Sequence, residues 1–221
     1  MSVDHRRPRV KTPRAYDASR RRERAQRSRD ALLDAARARF LEHGYVATTI
    51  DSIAADAGVS SATIYKTYGG KAGMVSALCE RALEGAGPVP AEERSNALQA
   101  SDRDARSLIE GWGRLVAEVA PRIAPLLLLL RDAAAQDEQA AALYAELDGA
   151  RLARMAENAR SLIRRRGLRD GAGFQDARDT LWLYSAPEFY DLLVRRRGWS
   201  VKRYSRFVAD AMINALVDDD R

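Results

Sequence analysis

Residues 40–71 read FLEHGYVATTIDSIAADAGVSSATIYKTYGGK. Two short amphipathic segments lie on either side of Gly58-Val59-Ser60, and Lys71 comes just after the second segment. In such a layout the glycine supplies a turn, the valine fills the corner between two helices, and the serine caps the next helix. The stretch therefore predicts a helix-turn-helix.

The residues on both sides of this turn predict four closely packed helices. The first begins near Arg27 and ends at Gly44, which suits a left-handed cap. The second has Thr48 as its N-cap and Asp51 three residues later, close to a capping box. The third covers roughly residues 61–68. Apolar residues recur at three- and four-residue steps: Leu33, Ala36, Phe40 and Leu41 in the first helix, Ile50, Ile53, Ala54 and Ala57 in the second, and Val75, Leu78, Cys79 and Ala82 in the fourth.

The third helix is unusually polar on its outer side, which predicts contact with DNA. An α-helix fits the major groove, where hydroxyl and amine groups meet base edges and phosphates. Residues 61–63 lie at the N-terminal end, which usually enters deepest, and Tyr65 and Lys66 are placed to reach the DNA backbone. Lys71 begins the fourth helix, whose free N–H groups and positive end favour a phosphate.

These residues make the stretch resemble the DNA-binding domain of the TetR family of one-component transcriptional regulators. The resemblance covers about 50 residues. Its matched positions are Phe40, Gly44, Tyr45, Thr48, Thr49, Ile50, Ile53, Ala54, Gly58, Val59, Ser60, Thr63, Ile64, Tyr65, Tyr68 and Lys71. The chain departs from the family pattern at Tyr68, where phenylalanine is commoner, and at Gly69-Gly70, which replaces a bulkier pair. The fold expected from the resemblance is all-α, with a helical C-terminal domain that binds an effector and forms the dimer.

Several of these residues also have a purely structural interpretation. Thr48 and Thr49 could cap a helix or contact a phosphate, and Tyr68 is favoured as a core residue although Tyr65 is favoured for DNA. Cys79 is interpreted as a small core residue, not a sensor thiol. The predicted DNA-contacting set is Thr48, Thr49, Ser60, Ser61, Ala62, Thr63, Tyr65, Lys66, Tyr68 and Lys71.

Charge is concentrated at the N-terminus. Residues 1–30 contain 11 Arg or Lys and 4 Asp or Glu, whereas the remaining chain is close to neutral. Prolines and the scarcity of large apolar residues predict a mostly disordered arm over residues 1–26. The arm could seek phosphates or the minor groove of DNA, or it could serve only as a solvated tail. The predicted domains are this arm, a DNA-binding domain over 27–85 and a second domain over 86–221.

The second domain is predicted to be helical. One helix is expected near residues 102–119, followed by an interruption at Pro121 and Pro125 and a further helical stretch to about Gln136. A long helix is expected over residues 138–166. A capping box at residues 185–188 predicts another helix start, and the last helix should cover about residues 200–217.

The resemblance implies that the last helices pair with their copies in a homodimer and that the preceding helices enclose a ligand pocket. The apolar band of the last helix is wider than one domain needs, which independently favours a partner. The residues predicted for the dimer interface are Phe189, Leu192, Leu193, Tyr204, Phe207, Val208, Ala211 and Met212. The residues predicted for the pocket are Trp112, Leu115, Leu126, Met155 and Trp182, although core packing is the alternative role of each.

The sequence therefore predicts a dimeric, ligand-responsive transcriptional regulator that binds a palindromic DNA operator. A repressor is favoured over an activator. The alternative is an effector-independent architectural DNA-binding protein with a basic arm. An enzyme is disfavoured, because the two histidines lie apart and no metal-ligand or phosphate-loop spacing is present. No cofactor and no metal are expected, only a small-molecule effector of unknown identity. The single cysteine and the short apolar runs predict a cytoplasmic protein with no membrane contact.

Overall fold

The described part of the chain is all-α, as predicted. A computed structural model describes residues 13–84 and 89–218. Its helices are α1 (Pro13–His43), α2 (Ile50–Ala57), α3 (Ser61–Tyr68), α4 (Lys71–Glu84), α5 (Ala91–Ala100), α6 (Ala105–Ala133), α7 (Glu138–Arg164), α8 (Phe174–Tyr184), α9 (Pro187–Tyr190, continued by a π-helical segment Asp191–Arg196) and α10 (Val201–Leu216).

Helices α1 to α4 enclose a first hydrophobic core at most of the positions that the sequence pattern predicts; the exception is Leu41, which is 39% exposed and lies outside the core. Phe40, Ile53, Ile64 and Val75 are fully buried, and Phe40 stacks on Tyr45 with 5.8 Å between the ring centroids. This core is not closed by the first four helices alone. Five further residues of α6 and α7 belong to it: Leu126, Leu130, Ala133, Ala140 and Leu143.

Cys79 is part of this core, in line with its interpretation as a packing residue. Its side chain is fully buried. Burial raises the pKa of the thiol to about 12, so the thiol is protonated at neutral pH. A buried, protonated thiol is a poor nucleophile.

Helix α1 is longer than the sequence pattern predicts. It begins at Pro13 instead of near Arg27, so the expected disorder is wrong for residues 13–26, while residues 1–12 lie outside the described residues. Arg, Ala, Glu and Gln dominate this stretch and all favour helix. Gln26 also donates a hydrogen bond across one turn to Asp30 (3.1 Å). The side chains from Arg20 to Arg29 are exposed, so this part of α1 is helical without a buried face.

Helix α6 runs unbroken through both prolines, so the predicted interruption at Pro121 and Pro125 is wrong. Each proline removes one backbone donor, which normally favours a break. Here, the helix is buried on both sides of the prolines. Leu108 and Trp112 pack into a second core with α7, α8 and α10, whereas Leu126 and Leu130 pack into the first core. The free energy gained by burying apolar side chains along the whole of α6 exceeds the cost of the backbone hydrogen bonds that the two prolines remove.

The start of α9 also differs from the prediction. Ala186 is the N-cap, and no side chain caps the helix, so the expected capping box is absent at this helix. The hydroxyl of Ser185 instead donates to the Trp182 carbonyl (3.0 Å), and Glu188 pairs with Arg131 (2.8 Å). Pro187 does occupy the first turn, and the long helix α7 and the last helix α10 lie within two residues of their predicted bounds. Among the described residues, no helix is both long and apolar enough to cross a membrane.

Candidate DNA-binding surface and effector cavity

Helix α3 has one buried residue and an exposed polar face. Ile64 is fully buried and anchors the helix in the first core. Ala62, Thr63, Lys66 and Thr67 are exposed, and Tyr65 has 56% of its surface exposed. A helix with one fully buried residue, and with hydroxyl, amine and phenol groups outside, is suited to enter a groove.

Side-chain caps fix the N-terminal end of α3. The backbone N–H of Thr63 donates to Ser60 Oγ (3.2 Å), and the hydroxyls of Ser60 and Thr63 share a hydrogen bond (2.8 Å). Ser61 donates its hydroxyl proton to the carboxylate of Asp51 on α2 (2.5 Å). Ser60 is therefore a cap, as its sequence position predicts, and the Ser61–Asp51 hydrogen bond joins the N-terminal turns of α3 and α2.

The turn from α3 to α4 depends on glycines, and the role of one of them cannot be predicted from the sequence. Gly69 has φ +74° and ends α3. Gly73, in the first turn of α4, lies so close to α3 that a Cβ atom there would be 1.8 Å from the carbonyl oxygen of Tyr68. Gly73 therefore sets the distance between the two helices. No spacing pattern marks it, because the approach is visible only in three dimensions.

Lys71 lies at the first position of α4, next to the proposed DNA-binding helix. Its ammonium donates to the Tyr45 carbonyl (3.0 Å) and lies 4.5 Å from the centroid of the Tyr45 ring. Burial raises the pKa of the Tyr45 phenol to about 12, so this ring stays neutral beneath the ammonium. Two of the three ammonium hydrogens remain for another acceptor such as a phosphate.

The two threonines before α2 have different roles from those predicted. Thr49, not Thr48, is the N-cap, and its Oγ accepts from the Ser52 N–H (3.1 Å). Thr48 is 2% exposed and donates to the Gly44 carbonyl (2.7 Å). A buried hydroxyl already bonded to the backbone is not available to DNA, so Thr48 is a structural residue. Tyr68 is half-buried and packs on the first core, which fits its structural interpretation.

A cavity of about 830 Å³ lies between α4, α6, α7 and the α8–α9 junction. Its walls include Leu83 of α4, Val116 and Leu127 of α6, and Leu147 of α7. The volume is within the range of about 300–1,000 Å³ that is usual for small-molecule sites. One end of the cavity is therefore formed by the same helix that carries Lys71.

Three of the five predicted pocket residues line this cavity, namely Trp112, Leu115 and Met155. The other two predictions are wrong for this cavity. Leu126 is 1% exposed and belongs to the first core, while its neighbour Leu127 faces the cavity. Trp182 stacks under the guanidinium of Arg151 at 4.8 Å. Helical periodicity does not determine which of two adjacent leucines faces the cavity.

The cavity also has polar lining residues that no sequence pattern predicts. Arg151 donates to Asp148 (2.7 Å) and to Ser185 Oγ (3.0 Å). Arg154 pairs with Glu92 and donates to Asn96 (2.7 Å). Asn158 is 2% exposed. In the sequence, these polar residues show only the regular spacing that every exposed helix face shows. That spacing does not distinguish a cavity wall from a surface.

The predicted dimer surface divides into two groups. Tyr204, Val208 and Met212 are at most 1% exposed and belong to the second core, so their assignment to an interface is wrong. Leu192 is 50% exposed, and Phe189, Leu193, Phe207 and Ala211 are half-buried. Trp199 lies edge-on to Phe207 (5.5 Å between centroids). The wide apolar band of α10 thus serves mainly its own chain, with an open edge at Phe207 and Ala211.

The described residues contain no group of His, Cys, Asp or Glu side chains that could hold a metal ion.

Comparison with known proteins identifies the first domain. Residues 32–78 match the family model of bacterial regulatory proteins of the tetR family. No curated protein is significantly similar to the chain in sequence.

Solved structures share the fold over nearly the whole chain. SmeT in its complex with triclosan is 24% identical, with a TM-score of 0.67 over 87% of this chain and 92% of that one. SmeT is the repressor of the Stenotrophomonas maltophilia multidrug efflux pump SmeDEF. NalD, the secondary repressor of the MexAB-OprM multidrug efflux pump in Pseudomonas aeruginosa, is 22% identical, with a TM-score of 0.67 over 88% of this chain and 98% of that one. Residues 32–78 thus match the tetR family of bacterial regulatory proteins, and the chain shares the fold of SmeT and NalD.

Proposed function

We propose that the protein is a homodimeric repressor that releases its DNA operator when a small molecule enters the cavity between α4, α6 and α7. One observation carries this proposal. Helix α4 has Lys71 at its N-terminal end, beside α3, and Glu80, Leu83 and Glu84 at the cavity. A change of shape at the cavity can therefore displace the DNA-binding helix through a single rigid element.

The proposed DNA surface consists of α3 and the helix ends beside it. Exposed side chains at its centre would contact base edges, and the caps and Lys71 would contact phosphates. The members are Thr49, Ser60, Ser61, Ala62, Thr63, Tyr65, Lys66, Tyr68 and Lys71; Thr48 is left out because it is buried. Of these, Ser61, Tyr68 and Lys71 are half-buried.

A dimer would place two such surfaces on successive major grooves. That requires recognition helices about 34–36 Å apart and a roughly palindromic operator. The proposed contact surface is the exposed Leu192 with the half-buried Phe189, Leu193, Phe207 and Ala211. An effector acts on this arrangement only through its different affinities for the DNA-bound and the released state.

The proposal is tested by binding of the purified protein to DNA flanking its own gene, at about 0.15 M salt with excess competitor DNA. Retention of one palindromic fragment by two copies of the chain supports a specific dimeric regulator. Equal loss from all fragments favours an architectural binder. SmeT was solved with triclosan, so triclosan is a reasonable first compound for testing release of a retained fragment.

Lys71→Ala should weaken binding to specific and non-specific DNA alike. One phosphate contact is lost, so the slope of log affinity against log salt should decrease by about 0.9. Fluorescence anisotropy at several salt concentrations measures the slope. Lys202→Ala, which removes an exposed lysine on α10, is the control and should leave the slope unchanged. The same slope in Lys71→Ala and wild type would remove Lys71 from the phosphate contacts.

The basic N-terminal part of α1 should add to DNA affinity without adding sequence preference. Four of its arginines, Arg22, Arg24, Arg27 and Arg29, are exposed, and helical spacing distributes them over opposite sides of α1. Changing all four to Gln should decrease the salt slope by about 1 to 3. The matched control changes four exposed arginines of the second domain, Arg103, Arg114, Arg160 and Arg164. Equal slopes in both quadruple variants would make this part of α1 a solvated extension.

A further inference from the structure

Two residues that line the cavity carry a buried hydrogen-bond donor without a good acceptor. Trp112 lines the cavity and is 3% exposed, and its indole N–H has no partner. Asn158 lines the cavity and is 2% exposed, and its amide nitrogen has the sulfur of Met155 as its neighbour at 3.9 Å. A thioether is a weak acceptor. Buried donors are normally paired, and an unpaired one costs about 1–3 kcal/mol.

The orientation of Asn158 is fixed by its other contacts. Its side-chain oxygen accepts from Gln99 Nε2 (2.7 Å) and from Ser95 Oγ (3.3 Å). With the oxygen held by two donors, the amide NH₂ is left for Met155. Methionine is unbranched and changes conformation readily, so an oxygen atom of a ligand can replace the sulfur beside Asn158.

The charged residues of the cavity do not supply a matching acceptor or a free cation. Arg151 is engaged with Asp148, and Arg154 with Glu92. The carboxylates of Glu80 and Glu84 belong to exposed residues on α4, not to the buried wall that contains Trp112 and Asn158. An anionic ligand would have to displace a carboxylate from one of the arginines. A cationic ligand would find donors in the buried wall where it needs acceptors.

We infer that the effector is an uncharged, largely apolar molecule that carries a hydrogen-bond acceptor, such as an aromatic ketone, and that Trp112 and Asn158 recognise this acceptor. The inference rests on the proposed function of the cavity as an effector site. It adds the chemical class of the effector and the two side chains that select it. The apolar walls bind the body of the molecule, and the two donors distinguish it from a hydrocarbon of the same shape.

The test compares benzophenone with diphenylmethane, which have the same rings and differ by a carbonyl in place of a methylene. Isothermal titration calorimetry with the full chain and without DNA should show benzophenone binding about 10-fold more tightly. Trp112→Phe keeps an aromatic ring and removes the N–H together with the pyrrole part of the indole. Asn158→Asp keeps an oxygen that can accept from Gln99 and Ser95 and removes the NH₂ donor. Each change should reduce the preference for benzophenone several-fold.

Trp182→Phe is the matched control, because Trp182 also has a buried indole N–H without a partner but does not line the cavity. It should retain the wild-type preference. Retained binding of diphenylmethane and an unchanged circular dichroism spectrum show that the variants are folded. If Asn158→Asp fails to fold, the preference for benzophenone measured in Trp112→Phe tests the inference by itself.

Three results would overturn the inference. Equal affinity for the two compounds, or no binding of either, removes the acceptor-selective site. If the preference for benzophenone is unchanged in both Trp112→Phe and Asn158→Asp, residues other than these two recognise the acceptor. Tighter binding of protonated benzhydrylamine, lost in Glu80→Gln or Glu84→Gln, makes the cavity a cation site. Because no DNA is present, these results do not depend on an operator being found. Selective binding without release of a known operator would refute the proposed ligand response and leave the site intact.

Discussion

Gly73→Ala is expected to destabilise the protein by about 3 kcal/mol and to abolish operator binding. The added methyl group would lie 1.8 Å from the carbonyl oxygen of Tyr68, and a backbone atom cannot move aside as a flexible side chain can. Helices α3 and α4 would have to separate, which displaces Lys71 and the exposed face of α3 together. For a chain of this length, 3 kcal/mol corresponds to a decrease of about 6–12 °C in melting temperature.

Gly149→Ala is the control for this change. Gly149 lies within α7, and nothing is within 4 Å of the position of an added Cβ. Alanine is the better helix former by about 1 kcal/mol, so this variant should melt slightly higher and bind DNA normally. Differential scanning calorimetry and anisotropy measure both properties. A Gly73→Ala protein that melts and binds like wild type would mean that α3 and α4 are not held at this distance in solution.

Ala62→Asp is expected to lower affinity for DNA at least about 100-fold while leaving the fold intact. Ala62 is exposed at the second position of α3, so a carboxylate there would face the phosphates of the groove. Like charges brought together at an interface cost several kcal/mol. In the free protein the same carboxylate lies near the positive end of the helix and is slightly favourable.

This variant separates binding from folding, because its melting temperature should not decrease. Ala142→Asp, at an exposed position of α7, carries the same added charge on the second domain and should bind DNA within a few-fold of wild type. An Ala62→Asp protein that keeps its affinity would show that the N-terminal end of α3 does not enter the groove. The proposed interface would then have to be moved to another surface.

The helix-turn-helix could be predicted closely because its signals are local. Gly58 has φ +64° and ends α2, Ser60 caps α3, and α3 has the predicted bounds. The prediction that Thr48 caps α2 is wrong for a different reason, since Thr49 is the N-cap. Both threonines can cap a helix, and only the packing of Thr48 against the end of α1 determines which one is buried.

The errors in the second domain come from tertiary contacts that a sequence pattern does not contain. Pro121 and Pro125 are strong local signals for a break, but burial on both sides of them keeps α6 continuous. The apolar band of α10 suggested a partner, and most of it packs on its own chain. The shape of the cavity depends on which side chain of each adjacent pair turns inward, and periodicity leaves that choice open.

The continuity of α6 has a consequence for exchanging DNA-binding specificity between relatives. A chimera joined at the loop after α4 would receive a foreign first core and keep Leu126, Leu130 and Leu143 of its own chain, which complete that core. Those three residues would then have to fit side chains with which they did not evolve. Grafting only the exposed residues of α3, such as Ala62, Thr63 and Lys66, avoids the mismatch. For this protein we therefore expect the transplantable unit of specificity to be the proposed DNA surface of α3 and not the whole first domain.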